Sequence, residues 1–182
     1  MSGLLIRTIT FKSKTIMLPL YKAFVRSILE YANPMWFPHK RKDIDMIEDV
    51  QRHFTCTVIG LRDLDYHQRL ESLKLPSLEY RRVRENMIEL YKICQRIYDP
   101  ATTHTLVNFV PQTSTTRSHP YKLSKVRVNT TQFQYFFTNR IINLWNSLPD
   151  EIVTAESVNS FKNGIDSHLK EYMFSTGFNL YY

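Results

Sequence analysis

The stretch SLEYRRVRENMIELYKICQRIYD, residues 77–99, leaves this chain the least freedom. Val83, Met87, Leu90, Cys94 and Ile97 step by four, three, four and three. That repeat gathers them on one side of an α-helix and suits neither the two-residue period of a strand nor a loop. Glu85, Glu89, Lys92 and Arg96 take the wet side, and Pro76 with Ser77 begins the element. The result is a helix of about six turns, roughly 30 Å long. Its apolar seam requires other elements to cover it, and Cys94, lying on that seam, reads as a small core residue.

The covering elements are also helical in pattern. TIMLPLYKAFVRSILEYA, 15–32, places Leu20, Phe24, Ile28 and Tyr31 at helical spacing, with Pro19 expected in the first turn, where its missing N–H does little harm. NPMWFP then stops it. Asp43 is expected to cap the next helix, whose apolar face is Ile44, Ile47, Val50, Phe54 and Val58 and whose end is Gly60. Asp65 caps a short helix over YHQRLESLKL. Downstream, QFQYFFTNRIINLWNSL puts Phe133, Phe136, Phe137, Ile141, Leu144 and Leu148 on one arc. Arg140 lies inside that arc and needs an acceptor or a path to water. A last helix starts at Ser157 with Val158, Phe161, Ile165 and Leu169 inward, and FSTGFNLYY follows as a loose tail.

Glycine supports the helical reading, since four in 182 residues are too few for the tight turns of a sandwich or barrel. The expected fold is all-α, a bundle of about five to six helices with a basic irregular or short β segment around 101–130. Its divisions are 1–100, the basic arm 101–130, a helical region 131–172 and a tail 173–182. No run approaches the length of a membrane span, and MSGLLIRTITFK has too short an apolar run before Arg7 for a signal sequence, so an intracellular chain with no membrane partner is expected.

Little in the sequence suits catalysis. Cys56 and Cys94 are too few for a disulfide framework or a structural zinc site. Asp43/Asp45 and Asp63/Asp65 are the nearest thing to paired carboxylates for metal ions, but each pair flanks a helix start, where capping explains it more simply. The four scattered glycines build no phosphate loop. No catalytic residue, metal site or cofactor is expected.

Charge is more telling. The chain carries a formal +7, and its 17 acids avoid residues 100–149 altogether, where Arg117, Lys122, Lys125, Arg127 and Arg140 lie with His104 and His119. TTRSHPYKLSKVRVNTTQFQYFF interleaves these cations with Tyr121 and with Thr, Ser and Asn donors, all suited to phosphate and sugar contacts. A solvated loop with clustered charge is the plainer alternative. If five cations each met one phosphate of a duplex, affinity would fall roughly 500-fold between about 50 and 200 mM salt. Lys40, Arg41, Lys42, Arg81, Arg82 and Arg84 could extend the surface, although Glu79 and Glu85 are placed to pair with those arginines along the helix. Trp36 and Trp145 read as core anchors.

Two blocks carry a family resemblance. LYKAFVRSILEYANPMWFPHKRKDIDMIEDVQRHFTCTVIGLRDLDYHQRLESLKLPSLEYRRVRENMIELYKI, 20–93, resembles the region just after the palm in jockey-like non-LTR retrotransposon reverse transcriptases. FFTNRIINLWNSLPDEIVTAESVNSFKNGID, 136–166, is similar to the end of such polyproteins, and the likeness in order and spacing covers about residues 6–172. The resemblance implies the thumb and C-terminal portion of an RNA-directed DNA polymerase, a helical bundle that holds the template–primer duplex. The family's aromatic-x-Asp-Asp signature occurs nowhere in this sequence, so no catalytic role is carried over. Residues 99–135 match poorly, so Arg117, Lys122, Lys125 and Arg127 are chosen as nucleic-acid contacts from charge pattern alone.

The expected function is therefore binding of an RNA–DNA or DNA duplex without chemistry, by a piece of a reverse transcriptase lacking its palm. The alternative is a non-catalytic helical protein-interaction module or a nonfunctional relic, self-associating through an exposed apolar face.

Overall fold

The computed structural model describes residues 2–103, 105–111 and 119–177. The fold is all-α; among the described residues the only β feature is a single antiparallel bridge between Phe109 and Leu123. The chain forms two compact units, one running to Arg82 and including Glu171–Gly177, the other from Val83 to Lys170.

The first unit holds α1 (Ser2–Thr8), α2 (Lys14–Leu20), a π-helical stretch (Tyr21–Arg26), α3 (Ser27–Glu30), α4 (Arg41–Cys56) and α5 (Tyr66–Leu73). Elements α2 to α3 run on without interruption from Lys14 to Glu30, but Pro19 sits in the second turn, not the first. The buried face also differs from the expected one. Met17, Tyr21 and Val25 are at most 3% exposed, whereas Phe24, Ile28 and Tyr31 are 49, 56 and 77% exposed. A spacing of four holds its direction where the helix widens, and the π-helical stretch supplies that widening.

Helix α4 starts at Arg41, so Asp43 lies inside its first turn, and it ends at Cys56; Gly60, at φ +81°, serves the following turn instead. Its inner face is unexpectedly polar: Glu48, Gln51 and Thr55 are buried beside Phe54. Gln51 accepts from the Tyr21 hydroxyl (2.7 Å) and donates to Tyr66 Oη (3.1 Å) and Pro76 O (3.0 Å). Asp65 caps α5 as expected, in a reciprocal pair with Gln68. Leu70, Leu73 and Leu75 close the core with Phe54, Val58 and Leu61. Residues 173–177 are not loose. Phe174 packs on this core, Met173 O accepts from Ser77 N, and Gly177 N donates to Glu79.

Helix α6 (Leu78–Cys94) contributes to both units. Val83, Met87, Leu90 and Cys94 are at most 4% exposed, as the seam predicts, and burial pushes the Cys94 thiol up to about 12. Ile97 falls outside because Arg96 turns left-handed (φ 54°) and ends the run; Ile97 is 54% exposed. The second unit continues with α7 (Pro100–Thr103), α8 (Thr131–Gln134), α9 (Phe137–Asn146), α10 (Asp150–Val153) and α11 (Val158–His168). The helix breaks between α8 and α9, which leaves Phe133 and Phe136 on the surface while Phe137, Ile141, Leu144 and Leu148 are buried. Arg140 finds acceptors at Tyr135 O (3.1 Å) and Asn86 Oδ1 (3.2 Å). Ser157 caps α11 by accepting from Ser160 N, and Phe161, Ile165 and Leu169 point inward as expected. Tyr91 stacks on Phe161 with centroids 4.2 Å apart, and Trp145 meets the same ring at 6.0 Å.

Candidate nucleic-acid interface

Three of the four predicted contacts, Lys122, Lys125 and Arg127, lie on one extended segment fastened to the end of α9; Arg117 lies outside the described residues. The fastening is made by side chains reaching backbone. Asn146 accepts from Leu123 N (3.0 Å) and donates to Leu123 O (2.8 Å), so one amide side chain takes the place of a neighbouring strand. Trp145 Nε1 donates to Tyr121 O (2.8 Å), and a ring nitrogen of His119 lies 3.1 Å from Trp145 O. On the other edge Val110 N donates to Lys122 O (2.9 Å), and Ser124 N to Asn108 O (2.8 Å).

Leu123 is the plug, 1% exposed, while Lys125 and Arg127 are exposed. Ser124 to Arg127 are all exposed, so beyond Leu123 the segment meets water on both faces. Among the described residues no ion pair involves Lys122, Lys125 or Arg127. The segment has no local acid to pair with, since none lies between Asp99 and Asp150.

His119 is 3% exposed and stands edge-on to Trp145 (5.9 Å, 88°). Burial holds its imidazole below the ordinary value, opposed by the Trp145 carbonyl and Asp150 and reinforced by Lys122. A neutral ring with Nε2–H donating to Trp145 O fits this site. The buried Nδ1 has no partner among the described residues.

Four of the six other candidate cations, Arg41, Arg81, Arg82 and Arg84, are spent on structure. Arg81 pairs with Glu30, and Arg84 with Asp166 (2.8 Å), acids brought in from other elements, while Glu79 meets Arg41. Arg82, 2% exposed, stacks its guanidinium over Trp36 at 4.4 Å and donates to Leu29 O (2.6 Å). Trp36 is thus a half-exposed platform for an arginine, and Trp145 is the buried anchor that both were expected to be. Arg41 bridges Asp45 and Glu79, leaving Lys40 and Lys42 exposed.

Among the described residues no cluster of His, Cys, Asp or Glu is arranged to hold a metal, and no helix is long and apolar enough to cross a membrane. The chain matches no protein-family model, no curated protein and no solved structure.

Proposed function

We propose that this chain is a nucleic-acid-holding, thumb-like piece of a retroelement RNA-directed DNA polymerase, gripping a duplex through its phosphates and performing no chemistry itself. The observation that carries the reading is the 119–128 segment. Its backbone is pinned by Asn146 and Trp145, and it presents Lys125 and Arg127 to solvent in a region with no acid to neutralise them. Pinning matters because a cation on a fixed backbone loses less freedom on meeting a phosphate than one on a floating loop. Contacts of this kind set affinity and register with little sequence readout.

The test is binding of the full-length chain to an RNA–DNA hybrid, followed by anisotropy, with Arg117, Lys122, Lys125 and Arg127 changed together to Ala. Affinity is expected to fall while helical circular dichroism is kept. Unchanged affinity in that variant removes the arm from the reading.

A second reading has its own support in the first unit. Phe24, Ile28, Tyr31, Met35 and Trp36 are all between 41 and 84% exposed, and a set of large apolar side chains in water suits a protein partner or a second copy. Sedimentation separates the two. Concentration-dependent oligomers that dissociate when Phe24 and Tyr31 become Ser, with no affinity for nucleic acid, favour this second reading.

A further inference from the structure

The first unit contains an open recess of about 490 Å³ at the turn that follows α4. Three basic side chains line it: Lys12, His53 and Arg62. They come from three separate parts of the chain, and the backbone holds two of those parts together, because Ile59 N donates to Lys12 O at 3.0 Å. No ion pair or side-chain hydrogen bond among the described residues engages any of the three.

Cations beside the end of a helix commonly serve its last carbonyls. Here that work is already done. Phe54 O accepts from Thr57 N (3.1 Å) and from Thr57 Oγ1 (2.7 Å), and Thr55 O accepts from Val58 N (3.4 Å). Lys12 and Arg62, moreover, belong to no helix. What remains is a concave cationic surface whose charges have no task inside the protein.

The walls fit one kind of anion better than others. Gly60 stands in the left-handed region, and nothing lies within 4 Å of where a Cβ would be, so a ligand can approach the backbone closely. Ile59, 58% exposed, offers an apolar edge beside the cations. A phosphate among basic groups with a sugar against an aliphatic side chain matches that arrangement. The exposure of His53, Gly60 and Arg62 suits a polymer passing across the recess more than an enclosed small molecule.

We propose that this recess is a second phosphate-contact site for a nucleic-acid backbone, with Lys12 and Arg62 as its principal contacts and His53 as an additional donor. It rests on the nucleic-acid reading above but on none of the same residues.

The experiment uses the full-length chain and an RNA–DNA hybrid, titrated with salt. Removing two phosphate contacts in Lys12→Ala/Arg62→Ala is expected to make the slope of log K against log salt shallower by about 2, so that the loss between about 50 and 200 mM salt shrinks roughly tenfold. The equal-charge control Lys22→Ala/Lys170→Ala changes two exposed cations outside the recess and the arm and is expected to keep the slope. Lys12→Arg/Arg62→Lys is expected to keep it too. An unchanged slope in Lys12→Ala/Arg62→Ala, with binding still lost in the arm variant, overturns the recess and leaves the earlier reading standing. The reverse pattern keeps the recess and removes the arm. No binding by the unaltered chain overturns both. Tighter binding of poly-glutamate than of the hybrid, lost in Lys12→Ala/Arg62→Ala, overturns the nucleic-acid assignment in favour of an acidic peptide.

Discussion

His119 and Glu48 are both buried ionisable groups, and they respond to acid in opposite senses. His119 titrates below its ordinary value in the folded chain, so the fold favours the neutral ring. Its contribution to stability is complete above the ordinary histidine value of about 6.5 and is lost as pH falls through the lower folded value. Urea unfolding followed from neutral to mildly acidic pH is expected to show this loss, and His119→Asn, which keeps a donor but does not titrate, is expected to show less of it. An identical pH response in the variant contradicts the placement of His119. Glu48, 1% exposed, accepts from Tyr66 Oη, Leu78 N (3.2 Å) and Glu79 N (3.1 Å), thereby capping α6 from another helix. Burial raises its carboxyl above the ordinary range against the pull of those donors. The protonated form is therefore favoured on folding: this contribution is complete below the ordinary glutamate value of about 4.3 and fades as pH rises through the folded value. Glu48→Gln is expected to be tolerated at neutral pH, whereas Glu48→Ala leaves buried donors unmatched and is expected to cost about 1–3 kcal/mol in urea unfolding. Neither group announces its role in the sequence, because a carboxylate capping a helix that begins 30 residues away leaves no local pattern.

Helix α6 and the run from α2 to α3 show where elements can be read from sequence and where they cannot. The seam of α6 was legible because Val83, Met87, Leu90 and Cys94 are apolar while the opposite side is charged, so periodicity has one solution. Between Lys14 and Glu30 large apolar residues occupy several faces, including Met17, Tyr21 and Val25 as well as Phe24 and Ile28, and periodicity alone cannot choose among them. The π-helical stretch then adds a turn of non-standard width. Stability separates the two faces. Met17→Ala is expected to cost about 2–5 kcal/mol, as for a fully buried side chain, whereas Ile28→Ala on the exposed face is expected to stay within about 0.5 kcal/mol. Equal costs at Met17 and Ile28 contradict the observed face. The basic segment divides in the same way. Its charge was legible because acids are missing from residues 100–149, but its attachment was not, since Asn146 reaches back 23 residues to Leu123 through a side-chain amide. Asn146→Ala removes both bonds and is expected to weaken duplex binding with all four predicted cations still present.

For the whole molecule, the distribution of charge gives the fold its functional meaning. The formal +7 is unevenly spread: arginines of the first and second units pair with Glu30, Asp45, Glu79 and Asp166, while Lys125 and Arg127 on the pinned segment and Lys12 and Arg62 at the recess stand without ion pairs among the described residues. Such a pattern was half legible. The total and the acid-free window are sequence properties, but which of 24 Lys and Arg residues are consumed by structure depends on partners brought from distant elements. Binding of the full-length chain to an RNA–DNA hybrid as a function of salt reads the sum of the unspent charges most directly. With contacts at Arg117, Lys122, Lys125 and Arg127 the account predicts a slope of log K on log salt of at least about −3.6, a loss of roughly 150-fold or more between about 50 and 200 mM. Affinity that is nearly independent of salt contradicts it.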